Sequence, residues 1–183
     1  INDTIRIGFL SRIDPGKGWE VFLQSLFLLK QKKLPFQAII GGGGSEFDTM
    51  INKIEKLNLS DNIIIKGVIP HDDVPSFFNN LDLFIFSSIR ESESLGLVAL
   101  EALACGVPII AKRNGAIDEF VKNNHNGFIF ENSVAHEITD KIIKYSNLDK
   151  TARLQMKKMA FESVRKYDAK MIAKNLCNTL KNL

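Results

Sequence analysis

The sequence predicts a doubly wound α/β domain built on a parallel sheet. Three observations lead there. Short apolar runs rich in β-branched and aromatic residues recur along the chain. Each is followed by a longer stretch with helical spacing, and no low-complexity linker or internal repeat interrupts the series. Continuously apolar strands separated by amphipathic helices belong to a parallel sheet covered on both faces.

The elements follow in order. IRIGFLS reads as the first strand and GWEVFLQSLFLLKQK as its helix; FQAIIG and EFDTMINKIEKLN form the second pair. NIIIKG precedes the helical DDVPSFFNN, and LDLFIFSS precedes GLVALEALAC, which stops at the helix-ending Gly106 and Pro108. VPIIAK, GAIDEFVKN and GFIF continue the alternation, and from about residue 133 the pattern is helical only.

Bulk properties bound the rest. A chain of 183 residues, 45% hydrophobic and 25% charged, has the composition of one soluble globular domain. It holds no apolar stretch of bilayer-spanning length, and INDTIRIGFL lacks a signal-peptide layout, so the expected compartment is the cytoplasm. The opening Ile1 suggests a piece of something longer. Cys105 and Cys177 lack metal-ligand spacing and read as reduced thiols. Residues 141–183 carry eleven Lys or Arg against three acids, a local +8 within a net charge of +3. Recurrence of these bases around helices reads first as a solvated face; the alternative is peripheral contact with an anionic membrane surface. Nucleic acid is excluded as a partner because no basic stripe is interleaved with stacking aromatics.

In such a sheet ligands bind at the carboxyl ends of the strands. Four loops there carry chemistry. SRIDPGKG sets Arg12 and Lys17 around a Pro-Gly turn after the first strand, which suits a diphosphate or, more plainly, is a turn with exposed charges. It lacks the spacing of a P-loop. GGGGSEF falls short of a dinucleotide fingerprint because Glu46 occupies the third small position and the loop follows the second strand; its glycines imply close approach to a ligand or to a neighbouring element. In KGVIPHDD the acids fit helix capping better than a cation site. SSIRESESLG leads into the helix containing Glu101, whose first free amides form an anion site. Glu93 stands before that helix and Glu101 about one turn inside it. A carboxylate at a crevice offers two acceptors for vicinal sugar hydroxyls; otherwise Glu101 is a helix-end charge and Glu93 a solvated loop acid.

From about Ile5 to Phe130 the order of SRIDPGKG, a glycine-rich turn, KGVIP, LDLFIFSS, ESLGLVALEALACGVPIIA and NGAIDEFV with NGFIF resembles the C-terminal, donor-binding domain of GT-B retaining glycosyltransferases, glycosyltransferase family 4. The resemblance implies a Rossmann-like half of a GT-B enzyme, with an N-terminal acceptor domain outside this chain and a nucleotide-diphosphate sugar as donor. It implies metal-independent transfer with retention, no cofactor, and an acceptor that is a glycan or lipid-linked. Glu93 and Glu101 match the family's Glu-x7-Glu pair. By that likeness Arg12 and Lys17 hold the diphosphate, Glu93 the transferred sugar and Glu101 the ribose. Ser94, Leu95, Gly96, Leu97 and Val98 direct amides at sugar and phosphate. Gly67 and Val68 meet the base, and Gly42, Gly43 and Gly44 let the chain pass near the nucleotide. The sequence departs from the family at Leu95, often Phe, at Ser87 and Ser88, often Pro-Ser and read here as packing changes, and at the glycine run, often Gly-Asp-Gly-Pro. The tail from about residue 168 is expected to be helical and to pack toward the missing domain or touch a membrane. The rival readings are a GT-B sugar-nucleotide epimerase and a non-catalytic nucleotide-binding module.

Overall fold

The computed structural model describes residues 4–88, 96–113, 117–132 and 134–168. Six parallel strands form one sheet: β1 (Ile5–Leu10), β2 (Phe36–Gly41), β3 (Ile63–Gly67), β4 (Leu83–Phe86), β5 (Ile109–Lys112) and β6 (Gly127–Phe130). Their order across the sheet is β3-β2-β1-β4-β5-β6. The chain builds outward from β1 on one side, then returns to start the other side at β4. Between β1 and β4 the crossover loops diverge, and this is where such sheets open a crevice.

Strand side chains alternate between two cores, as a period of two requires. Ile5, Ile7, Phe9, Leu83, Ile85, Phe128 and Phe130 face one core, under α1 (Trp19–Gln31), α2 (Phe47–Lys56) and α6 (Ala135–Ser146). Ile39, Phe84, Phe86, Ile109, Ala111 and Ile129 face the other, under α3 (Val74–Asn79), α4 (Leu97–Ala104), α5 (Ile117–Phe120) and α7 (Lys150–Val164). Phe9 stacks on Phe22 with ring centres 5.0 Å apart, and Phe84 meets Phe78 edge-on at 5.2 Å.

Two expectations need adjustment. β3 lies at one edge of the sheet and is not buried on both faces: its side chains alternate between half-buried and exposed, and Ile64 reaches solvent, whereas β6 at the other edge is buried throughout. The helix in GAIDEFVKN is described only as Ile117–Phe120. It stops because the buried Asn126 takes over its last groups, accepting from the Lys122 amide and donating to the Phe120 carbonyl, both at 2.7 Å.

Helix α4 ends as its sequence signals. Gly106 is left-handed at φ 71°, its amide reaches the Leu103 carbonyl at 2.8 Å, and the Val107 amide reaches Ala102 at 3.0 Å, closing a Schellman motif. Helix α7 runs the opposite way beside it. Near its middle Lys157 pairs with Asp82, just before β4, at 3.2 Å; at its end Tyr167 meets Phe120 of α5 edge-on at 6.4 Å. The described chain thus finishes at the carboxyl edge of the sheet. No helix among the described residues is long and apolar enough to cross a membrane.

One contact fixes the centre of the sheet. Gly18, at φ 78°, begins α1, and a β-carbon there would collide with the carbonyl of Ser87, the first residue after β4. At Gly8 a β-carbon would meet only the methyl end of Leu81. Gly18→Ala is therefore expected to cost about 2–5 kcal/mol by combining left-handed strain with a backbone clash, against about 1–2 kcal/mol for Gly8→Ala, where a side chain can shift. Urea unfolding of the two variants checks this, and equal losses would contradict it.

Candidate functional site

The carboxyl ends of β1, β2 and β3 bring three of the predicted loops together. After β1, Asp14-Pro15-Gly16-Lys17 forms a turn with Gly16 at φ 81° and the Lys17 amide donating to the Asp14 carbonyl at 3.2 Å. That is a type II turn, with Pro and Gly at the two positions it favours. Arg12 and Lys17 flank this turn; the Arg12 side chain is 76% exposed and pairs with Asp14 at 2.8 Å.

The glycine run lies against this loop. The Ile13 amide donates to Gly43 at 3.0 Å and the Glu46 amide donates to Ile13 at 2.9 Å. A β-carbon at Gly42 would strike the Ser11 carbonyl, and one at Gly44 would sit 2.5 Å from the Ile13 carbonyl oxygen. Two of the four glycines thus serve close approach to a neighbouring loop. Glu46, the residue that spoils the fingerprint, accepts the Trp19 indole N–H at 2.8 Å and ties the start of α2 to the start of α1.

Gly67 and Val68 come next across the sheet. The Gly42 amide donates to Gly67 at 2.7 Å, and Val68 is within 3.1 Å of where a β-carbon on Gly43 would lie. Gly67 is left-handed at φ 66° with open space above it, and Val68 is 79% exposed. Val68 also borders a cavity of about 300 Å³ shared with Lys66, Pro70 and Phe77. The His71–Asp73 segment is a turn of 3₁₀ helix; Asp73 precedes α3 without a side-chain cap bond, so only its charge favours that helix.

On the other side of the switch point, Ser87 donates to the Gly18 carbonyl at 2.9 Å and Ser88 approaches the Gly16 carbonyl at 3.5 Å. These serines do more than pack: they staple the loop after β4 to the loop carrying Arg12 and Lys17. Glu93, Ser94 and Leu95 lie outside the described residues. The described chain resumes at Gly96, left-handed at φ 57°, and α4 begins at Leu97. The amides of Leu97 and Val98 precede the first intrahelical bonds, which Ala99 and Leu100 make to Gly96.

Glu101 is half-buried on α4 and faces a cleft of about 470 Å³ between α4 and the end of α7. Leu97 and Leu100 line it with Phe161, Arg165 and Tyr167. Among the described residues no cation forms an ion pair with Glu101, which leaves both carboxylate oxygens as acceptors. The sequence reading missed this second wall, because nothing in the loop motifs points to α7. Nor did it find Asp14, which lies within the quoted loop yet turns inward to bond Ser45.

The profile of the family described as Glycosyl transferases group 1 matches residues 1–163. The chain belongs to this family. It is 34% identical over 151 residues to the capsular polysaccharide biosynthesis glycosyltransferase CapM of Staphylococcus aureus, a match covering 80% of the chain and 38% of that protein. It is 28% identical over 138 residues to a GDP-mannose-dependent alpha-(1-6)-phosphatidylinositol monomannoside mannosyltransferase of Mycolicibacterium smegmatis, covering 73% and 36%. The chain thus spans well under half the length of these curated relatives. Among solved structures, HepE of Anabaena in complex with UDP and glucose superposes with a TM-score of 0.82 at 25% identity, covering 99% of this chain and 49% of that one. The C-terminal domain of LpcC, a glycosyl transferase group 1 family protein of Francisella tularensis, superposes at 0.78 with 27% identity, covering 90% and 87%. The doubly wound fold is therefore the one these glycosyltransferase structures share.

Cys105 reports on Glu101. Burial raises the pKa of its thiol above the ordinary range, and the Glu101 carboxylate pushes the same way. In a Cys177→Ser background, adding Glu101→Gln removes that charge and is expected to speed alkylation of Cys105 at pH 8, while burial keeps it slower than an unstructured thiol. An unchanged rate would place the carboxylate away from the thiol.

Proposed function

We propose that this chain binds the donor for a glycosyltransferase that moves a sugar from a nucleoside diphosphate to a glycan or lipid-linked acceptor, with retention and without a metal or cofactor. The observation that carries this reading is the stapling of two loops at the switch point. It holds Arg12 and Lys17 on the loop after β1 against the loop that leads to the free amides of α4. Transfer breaks the bond between the anomeric carbon and a phosphate oxygen, so negative charge grows on the leaving diphosphate. Fixed cations and helix amides stabilise that charge as it forms.

In this reading the diphosphate lies between Arg12, Lys17 and the amides of Gly96, Leu97 and Val98. Gly67 and Val68 meet the base beside Gly42, Gly43 and Gly44. Glu101 accepts from the ribose hydroxyls, and Glu93, with Ser94 and Leu95 beside it, holds the sugar. UDP in the HepE complex, and the GDP-mannose dependence in the name of the Mycolicibacterium smegmatis relative, support a nucleoside diphosphate as the ligand class. The acceptor belongs to an N-terminal domain outside this chain, so the 183 residues bind donor and transfer little. The basic helices at the C-terminal end suit work on the cytoplasmic face of a membrane that carries a lipid-linked acceptor.

Calorimetric titration of UDP, GDP, ADP and their sugars tests the reading. One base is expected to bind in preference, and Arg12→Ala, Lys17→Ala or Glu101→Ala is expected to weaken it about tenfold, the worth of a charge-assisted hydrogen bond. Binding of none of them, or an affinity indifferent to all three substitutions, would overturn it.

A further inference from the structure

The Asp14 carboxylate is nearly enclosed, its side chain 9% exposed, two residues from an Arg12 side chain that is 76% exposed. A carboxylate is rarely taken out of water unless partners satisfy it. Here Oδ1 accepts both the Ser45 amide at 2.9 Å and the Ser45 hydroxyl at 3.0 Å. Oδ2 takes the Arg12 guanidinium through Nη2 at 2.8 Å. The backbone is shaped for this, because a β-carbon at Gly44 would stand 2.6 Å from Oδ1 and press the carboxylate out of place. Asp14 thus joins the loop after β2 to the side chain of Arg12.

We infer that Asp14 is a positioning residue for donor binding, holding the Arg12 guanidinium at the switch point so that its remaining N–H groups are set to receive a diphosphate. The inference rests on the donor-binding reading given above. A guanidinium has five N–H donors in a rigid fork, and the contact to Asp14 through Nη2, the one ion pair of Arg12 among the described residues, leaves donors for anion oxygens. A long side chain as exposed as that of Arg12 otherwise loses rotamer freedom when it grips a ligand. Because Ser45 holds Oδ1, that ordering is already in place before the ligand arrives.

A double-mutant cycle on this chain tests the inference, read by calorimetry with whichever of UDP, GDP and ADP binds most tightly to the wild type. Asp14→Asn keeps an acceptor for Ser45 but turns an amide NH2 toward the guanidinium. It is expected to weaken the diphosphate about fivefold in the wild type and to have no effect in an Arg12→Ala background, the coupling typical of contacting charged residues. The nucleoside alone, which lacks the diphosphate, should bind equally with and without the substitution. Equal weakening in both backgrounds, or weaker nucleoside binding, would make Asp14 merely structural and overturn the inference. Unchanged or tighter diphosphate binding would overturn it as well, because Asp14 would then only compete for Arg12. If Asp14→Asn does not fold by thermal melting, Ser45→Ala takes its place in the cycle, with a smaller loss expected in the wild type and none in Arg12→Ala. A wild type that binds none of the three nucleotides would sink the donor reading itself, whereas a wild type that binds with no Asp14–Arg12 coupling would sink this inference alone.

Discussion

The candidate site depends on how closely two backbone segments pass at the middle of the sheet. Gly18 and Ser87 follow different strands, yet the carbonyl of Ser87 occupies the space that a β-carbon at position 18 would need. The Ser87 hydroxyl then bonds back to Gly18. With β1 and β4 adjacent and their crossovers leaving in opposite directions, this contact sets where α1 starts and where the chain sets off toward α4. The groups proposed to meet the diphosphate depend on it: the cations on one loop and the amides at the start of α4.

A second set of constraints works one strand over. Gly42 and Gly44 let the loop after β2 lie on the loop after β1, and Trp19 with Glu46 and Asp14 with Ser45 lock the two together. These contacts tie the loops after β1 and β2 to each other as well as to their strands. This rigidity suits electrostatic stabilisation, which is strongest when charges need not reorganise as the reaction proceeds. The cleft beneath Glu101 is built differently, largely from apolar side chains of α4 and α7, and a carboxylate that has no ionic partner among the described residues is placed there to accept hydrogen bonds.

The fold was legible in the sequence because its signals are local. FQAIIG and GFIF read as strands and occupy β2 and β6 as written, and Gly106 ends α4 through a turn that only a left-handed residue makes easily. β3 also forms where NIIIKG reads as a strand, but its place at the sheet edge and its partial exposure are set by tertiary packing that its apolar run does not encode. Within the site, loop motifs gave the residue types and the resemblance gave their order. The partnerships were hidden, since Ser87 reaches Gly18 and Ser45 reaches Asp14 over separations of 69 and 31 residues that no local pattern encodes. For the same reason the serines after β4 read as packing changes when they are staples, and Glu46 read as a failed fingerprint when it anchors a tryptophan.

The central claim is that the donor lies across the carboxyl edge of the sheet at the β1/β4 switch point. Backbone amide chemical shifts of the chain, followed as the best-binding nucleoside diphosphate is added, test it most directly. The account predicts the largest changes at residues 11–18, 42–45, 67–68 and 96–98, with little change at the opposite edge around Asp82 and Lys157. Changes concentrated at that opposite edge, or confined to the cleft between α4 and α7, would contradict it.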